Sequence, residues 1–305
     1  MLKGLMITPP VIGRISIGQV VEKNGKRLPQ KDDQFTLTSQ IQTADGWIKH
    51  PFDEQLRSSN QKLREIPIQL LFNEPDLNLR AEYCLFDRQT ARPICVGDGN
   101  QCSRYTQNGY ETLPCPTPDL CDLAQSGCKP YGRLNVVVNP NTEASAVDPI
   151  GSFIFRTSGF NSIRTLASRL SYFQALSGNR LACLPLALKV RGKSTRQSYG
   201  HPIYYVDLTL REGLSIEETL EQAQALQKHR DAMGFNQVAL DKAASSGFSN
   251  GHFEEDQDSI DSVVEEFFPE QTSGNQDQTS SQQLSNRLSQ QAQQLNPSQQ
   301  SVQPN

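Results

Sequence analysis

The stretch Ile94–Tyr131, ICVGDGNQCSRYTQNGYETLPCPTPDLCDLAQSGCKPY, holds five of the seven cysteines of the chain among Gly, Pro, Asn, Asp and Ser, with few residues able to build a core. That composition reads as turns, and turns without apolar cover need another source of stability. A tetrahedral Zn²⁺ held by four thiolates at about 2.3 Å supplies one, as a closed structural site. The ligand set read from the sequence is Cys102, Cys115, Cys121 and Cys128, with Cys95 in reserve. Twelve, five and six residues separate the four, wider than paired CxxC knuckles, so the pattern points to a metal without naming a finger class. A disulfide framework and reduced thiols in a loop are the competing readings. The N-terminal MLKGLMITPPVIG has no apolar h-region, so a thiol-keeping cytoplasm is expected, which disfavours disulfides.

Charge divides the chain unevenly. Residues 251–305 carry nine acids and one base, leaving 28 bases against 24 acids in the rest, so the overall −4 combines a body of +4 with a tail of −8. Such asymmetry suits either a protein that handles nucleic acid while its tail competes for the basic face, or solubility alone. The tail, GHFEEDQDSIDSVVEEFFPE followed by a Gln/Ser/Asn tract, is too poor in apolar residues to offset chain entropy, and disorder is expected there. No run of about 18 apolar residues indicates a membrane span.

The remaining sequence predicts an α+β fold with a β-rich body. Period-2 or short apolar runs at Gly13–Val21, Phe35–Thr43, Gly46–His50, Ile66–Phe72 and Leu77–Phe86, separated by turn signals, indicate an antiparallel sheet. Arg133–Val138 and Gly151–Thr157 read as a strand pair. In NSIRTLASRLSYFQALSG, Ile163, Leu166, Leu170, Phe173 and Leu176 fall on one helical face, with Ser162 or Asn161 as N-cap and Gly178 as stop. Leu181–Val190 and Ile203–Leu210 read as two strands, Pro185 placing the first at an edge or bulge. Ser215 with Glu218 forms a capping box opening a helix that ends at Gly234, and Asn236 starts a shorter one to Gly247. The division is 1–93 β-rich, 94–131 the inserted zinc knuckle, 132–247 α+β with a basic hairpin, and 248–305 the disordered tail.

The densest basic cluster is Lys189, Arg191, Lys193 and Arg196, with Tyr199 and His201, between those two strands. On a hairpin these donors reach phosphates and Tyr199 offers a face for a base; Arg164, on the outer face of the helix, extends the surface for DNA or a partner. A solvated hairpin tip is the plainer reading. Gly192-Lys193-Ser194 is not a phosphate-binding loop, because Ala187 stands where that loop requires glycine. Pro75-Asp76 with Glu82 begins a nuclease metal pattern, but Cys84 occupies its lysine position. HExxH and GxSxG do not occur, the four histidines are scattered, and Cys84 and Cys183 read as buried thiols, so no catalytic residue is assigned.

At GSFIFRTSGFNSIRTLASRL, at the C-x5-C-x6-CKPYGRL knuckle and at LPLALKVRGKSTR, across roughly residues 1–210, the chain resembles the recombination directionality factor-like family of phages and integrative elements. Its members often carry the label "hydrolase or metal-binding protein". The resemblance implies a non-catalytic accessory protein of DNA recombination; members of known role bind a large serine integrase and switch it from integration to excision. The metal-binding half of the label falls on Cys102, Cys115, Cys121 and Cys128. A single-stranded DNA-binding or annealing accessory protein working beside an annealing recombinase, and a metal-dependent hydrolase, are the alternatives.

Overall fold

The computed structural model describes residues 10–23, 26–43, 46–57, 61–87, 90, 92–138, 151–194, 196 and 200–248. The tail beyond Phe248, the loop 139–150, Tyr199 and the turns at Asn24-Gly25 and Ala44-Asp45 lie outside them. Contacts divide the chain into two units, Met1–Lys193 with Ile203–Pro269, and Ser194–Pro202 with Glu270–Asn305. The elements below all belong to the first.

Among the described residues there are twelve strands and five α-helices: β1 (Val11–Lys23), β2 (Lys26–Thr43), β3 (Gly46–Lys49), α1 (Pro51–Leu56), β4 (Glu65–Gln69), α2 (Pro75–Asn78), β5 (Leu79–Phe86), β6 (Pro93–Gly97), β7 (Gln101–Thr106), β8 (Gly109–Pro114), β9 (Lys129–Val138), β10 (Ser152–Thr157), α3 (Phe160–Ser177), β11 (Leu186–Lys193), β12 (Ile203–Leu210), α4 (Ile216–Ala232) and α5 (Gln237–Phe248). This is the expected mixed α+β protein with a large sheet. The strands run β3-β2-β1-β10-β9-β5-β6-β7-β8, with β11 paired to both β12 and β4. β1 runs parallel to β10. The hub is β9, whose early residues pair with β5, whose middle pairs with β10, and whose end pairs with β4 through Val138 and Ile68.

Alternation explains the core. Ile15 opposes Leu37 and Ile17 opposes Phe35, while Arg14 and Thr38 point to the other face. On the inner face Ile15, Phe35, Leu37, Leu134, Val136, Phe153 and Phe155 pack with Ile66, Ile68, Leu186, Leu188, Val206 and Leu208 of the second ladder. Leu166, Leu170 and Phe173 of α3 close the same cluster, the stripe expected from the 3.6-residue period. Gly132 lets α3 lie on β9, since a Cβ there would stand 2.9 Å from Ile163 Cγ1.

Several local expectations need correction. The N-cap of α3 is Gly159, not Ser162 or Asn161; the buried Ser162 hydroxyl accepts from the Val206 N–H at 3.0 Å, and Asn161 Oδ1 accepts from Lys193 Nζ at 2.7 Å. Both side chains are engaged by β11–β12. Pro185 does not interrupt a strand: Leu181–Cys183 is a 3₁₀ turn, β11 begins at Leu186, and it has a partner on each side. Residues 94–131 are not mainly turns but three strands continuing the main sheet, with two 3₁₀ turns after them. The Gly178 stop, at φ 62°, and the Ser215–Glu218 capping box are as read. Among the described residues no helix is long and apolar enough to cross a membrane.

Candidate metal centre

Strand register sets Cys95 and Cys102 on one face. Cys95 on β6 opposes Arg104 on β7, and Gly97 opposes Cys102. Opposed residues share a face and residues two apart share it too, so all four lie on one side of the sheet. The β6–β7 turn is held by Asp98 Oδ1, which accepts from Asn100 N at 2.7 Å and Gln101 N at 2.8 Å. Cys115 follows β8, its N–H donating to Asn100 O at 2.8 Å. Its sulfur occupies room left by Gly97: a Cβ on residue 97 would stand 2.8 Å from Cys115 Sγ and 2.7 Å from Cys102 Cβ. Thr117, between Cys115 and Cys121, has φ 65° and ψ 162°, a conformation almost confined to glycine. It costs about 1–3 kcal/mol and persists only where its surroundings enforce it. Cys121 joins the two 3₁₀ turns, and Cys128 stands at the threshold of β9.

Burial and neighbouring thiols shift two of these cysteines. Burial, then Cys95 and Cys115, push the Cys102 thiol up to about 11. Burial, then Cys95, Cys121 and Cys115, push Cys128 up to about 12. The Arg104 guanidinium sits among them, Nη2 lying 3.7 Å from Cys121 Sγ. A hydrogen bond with Cys95, first among its causes, raises its own pKa. Cys95, read from the sequence as the reserve, is thus near Cys102, Cys128 and Arg104. Among the described residues no three His, Cys, Asp or Glu side chains stand together in metal-ligand geometry. The donor set nevertheless suits a soft cation: all five side chains are thiols, and Arg104 would offset part of the excess negative charge that four thiolates would leave on Zn²⁺. A bound cation would also reverse the upward shifts, because coordinated thiols are deprotonated.

The basic arm is built differently from its reading. Lys189 Nζ pairs with Glu65 Oε2 at 2.6 Å, and the buried Asp207 carboxylate takes Arg191 Nε at 3.3 Å and Arg169 Nε at 3.2 Å. Lys193 Nζ donates to Asn161 Oδ1, and Arg164, three residues further along α3, is exposed. Arg196 is exposed in the second unit, and Tyr199 lies outside the described residues. Cys84 and Cys183 are buried as expected; burial raises both thiols, and Cys183 Sγ donates to Gln227 Oε1 at 3.4 Å. Sequence reading missed Arg104, because only the β6–β7 register puts it among sulfurs. It also missed the cross-strand pair Tyr105–Tyr110 on β7–β8, with ring centroids 5.2 Å apart and both rings exposed.

These elements lie within the part of the chain that a family model matches. A family model described as recombination directionality factor-like (Gp3-like) matches residues 12–211. The chain belongs to this family. The match runs from β1 to just past β12, so the family region contains the cysteine strands, α3 and the arm, while α4, α5 and the tail follow it. No curated protein and no solved structure matches the chain.

Proposed function

We propose that this chain is a non-catalytic accessory factor of phage or mobile-element recombination that engages a serine integrase and holds one structural Zn²⁺ in its cysteine strands. Membership of the recombination directionality factor-like family across residues 12–211 is the observation that carries the recombination reading. The metal reading is supported by the chemistry of five thiols, Cys95, Cys102, Cys115, Cys121 and Cys128, in one short stretch, with Arg104 opposite Cys95 and 3.7 Å from Cys121 Sγ. Zinc binding by four of them would stabilise strands that have little else to bury. The partner-contacting surface is assigned to Lys189, Arg191, Lys193 and Arg164, with Arg196 and Tyr199 as further members. Glu65 and Asp207 already neutralise part of this arm, which suits a protein surface at least as well as a string of phosphates.

Purified chain added to a cognate large serine integrase should suppress integrative and stimulate excisive recombination. Unchanged products in both directions, with the two proteins at equal concentration, would refute this role. The annealing reading draws on Tyr105 and Tyr110, whose exposed rings on adjacent strands could stack unpaired bases. It requires tight single-strand binding that weakens steeply with salt and is lost in Tyr105→Ala/Tyr110→Ala.

A further inference from the structure

The face of the main sheet turned away from the core carries a row of arginines. Arg80 on β5 opposes Arg133 on β9, and Arg133 opposes Arg156 on β10. Arg14 on β1 opposes Ile154, one step along the same face. Glu82 accepts from both Arg80 and Arg133, at 3.0 and 2.8 Å, and the Arg14 guanidinium lies 4.2 Å from the Trp47 ring centroid. Arg14, Arg80, Arg133 and Arg156 each make at least one further contact besides these, so none of the row is without a partner. α3 packs on the opposite side, where Gly132 meets Ile163. Yet Arg14, Arg133 and Arg156 are only 8–9% exposed and Asn135, on the same face, 7%. Asn135 Oδ1 is buried and accepts no hydrogen bond among the described residues. Arginines on an outer sheet face are buried only when something lies over them, and a buried charge calls for opposite charge.

We propose that this face is the docking site for the acidic segment of the same chain, residues 253–270. Charge selects it. It holds Glu254, Glu255, Asp256, Asp258, Asp261, Glu265, Glu266 and Glu270 with no Lys or Arg, whereas the loop 139–150 has only Glu143 and Asp148, and residues 1–9 have no acid. Apolar residues recur within it at Ile260, Val263, Val264, Phe267 and Phe268, the spacing of one helix face, so the segment offers an apolar stripe flanked by carboxylates. Position selects it too. α5 ends at Phe248 and packs through Leu240 and Ala244 on Phe72 and Leu77; α2, which contains Leu77, runs directly into β5, the strand of Arg80 and Glu82. Five residues separate Phe248 from the first acid, enough for an extended chain to span about 17 Å. Tethering would hold the segment at an effective concentration of about millimolar, so modest affinity suffices for occupancy.

The test uses the full chain and an arginine-selective dicarbonyl reagent, with modification at Arg14, Arg133 and Arg156 read by mass spectrometry. In the intact chain labelling is slow. In Glu265→Lys/Glu266→Lys/Phe267→Ser/Phe268→Ser it should rise about tenfold, and a peptide of residues 252–270 added in trans should restore protection, less so as salt increases. The charge-only variant Glu265→Gln/Glu266→Gln keeps the aromatic residues and should move labelling in the same direction by a smaller factor, so a folding defect in the first variant does not decide the result. Equal labelling of the intact chain and the charge-only variant would overturn the proposal. So would release of the arginines by Glu143→Gln/Asp148→Gln, which would make the loop 139–150 the cover, and protection that depends on protein concentration, which would make a second copy the cover.

Discussion

The ladder around β9, β10 and β11 and the ladder of β6, β7 and β8 use the same backbone hydrogen bonds, but their side chains do different work. Around β9 the inner face is Leu134, Val136, Phe153, Phe155, Leu186 and Leu188, all buried and covered by α3. At about 25 cal/mol per Å² of apolar surface, such a cluster supplies the main drive for folding. The β6–β8 end buries a satellite in which Leu85, Cys95 and Cys102 are the enclosed members and Ile94, Leu113, Cys115, Leu123 and Cys128 lie at its margin. Thiols form much of that cluster, and Thr117 adds strain beside it. The contrast teaches where a ligand would matter: the first region folds on its own apolar surface, whereas the second would gain most from a cation that joined its sulfurs.

Substitutions should break the two regions unequally. Leu188→Ala removes a fully buried side chain from the central strand of the β12-β11-β4 ladder and should lower global stability by about 2–5 kcal/mol, read as a shifted denaturant midpoint. Leu113→Ala, at the margin of the satellite cluster, should cost less than about 1.5 kcal/mol in the zinc-loaded protein. Equal losses would erase the distinction. If the arm contacts phosphates, Arg164→Ala/Lys193→Ala should flatten the plot of log affinity against log salt by about 1–2 units; an unchanged slope would leave the arm as a solvated hairpin tip or a surface for a protein partner.

A smaller effect lies at the edge of the main core. His50 Nδ1 accepts from the Phe52 N–H at 3.2 Å, and its ring packs on Phe52 and Phe153. Burial lowers its pKa below the ordinary value of 6.5. The unfolded chain therefore takes up the proton first, so the contribution of His50 is complete above pH about 6.5 and is lost as pH falls through the lower folded value. His50→Asn keeps a capping acceptor without a proton site and should remove this acid-side loss from a stability–pH curve. The smallest change expected is from ending the chain after Glu270, which removes the Gln/Ser/Asn tract and should leave the melting temperature within about one or two degrees.

What could be read in the sequence was whatever is local. α3 was legible because Ile163, Leu166, Leu170 and Phe173 follow one helical period, and α4 because Ser215 and Glu218 cap it within four residues. The β9–β10 pairing followed from two apolar runs on either side of a polar loop. The cysteine stretch misled because Gly97, Gly109 and Pro114 mark the ends of very short strands and Gly99 the turn between two of them, which resemble continuous turns when pairing with β5 is unknown. Register between distant strands leaves no local trace. For that reason the ion pair of Lys189 with Glu65, the sharing of Asp207 by Arg169 and Arg191, and the row Arg80–Arg133–Arg156 emerged only in the fold.

The proposed dependence of β6–β8 on a metal is tested most directly by hydrogen exchange on full-length protein of measured zinc content, before and after chelation at neutral pH. About one zinc per chain is expected. After its removal the amides of Gln101–Thr106 and Gly109–Pro114 should exchange rapidly while those of Leu166–Leu170 keep their protection. Zinc-free protein in which all three segments stay equally protected would contradict it.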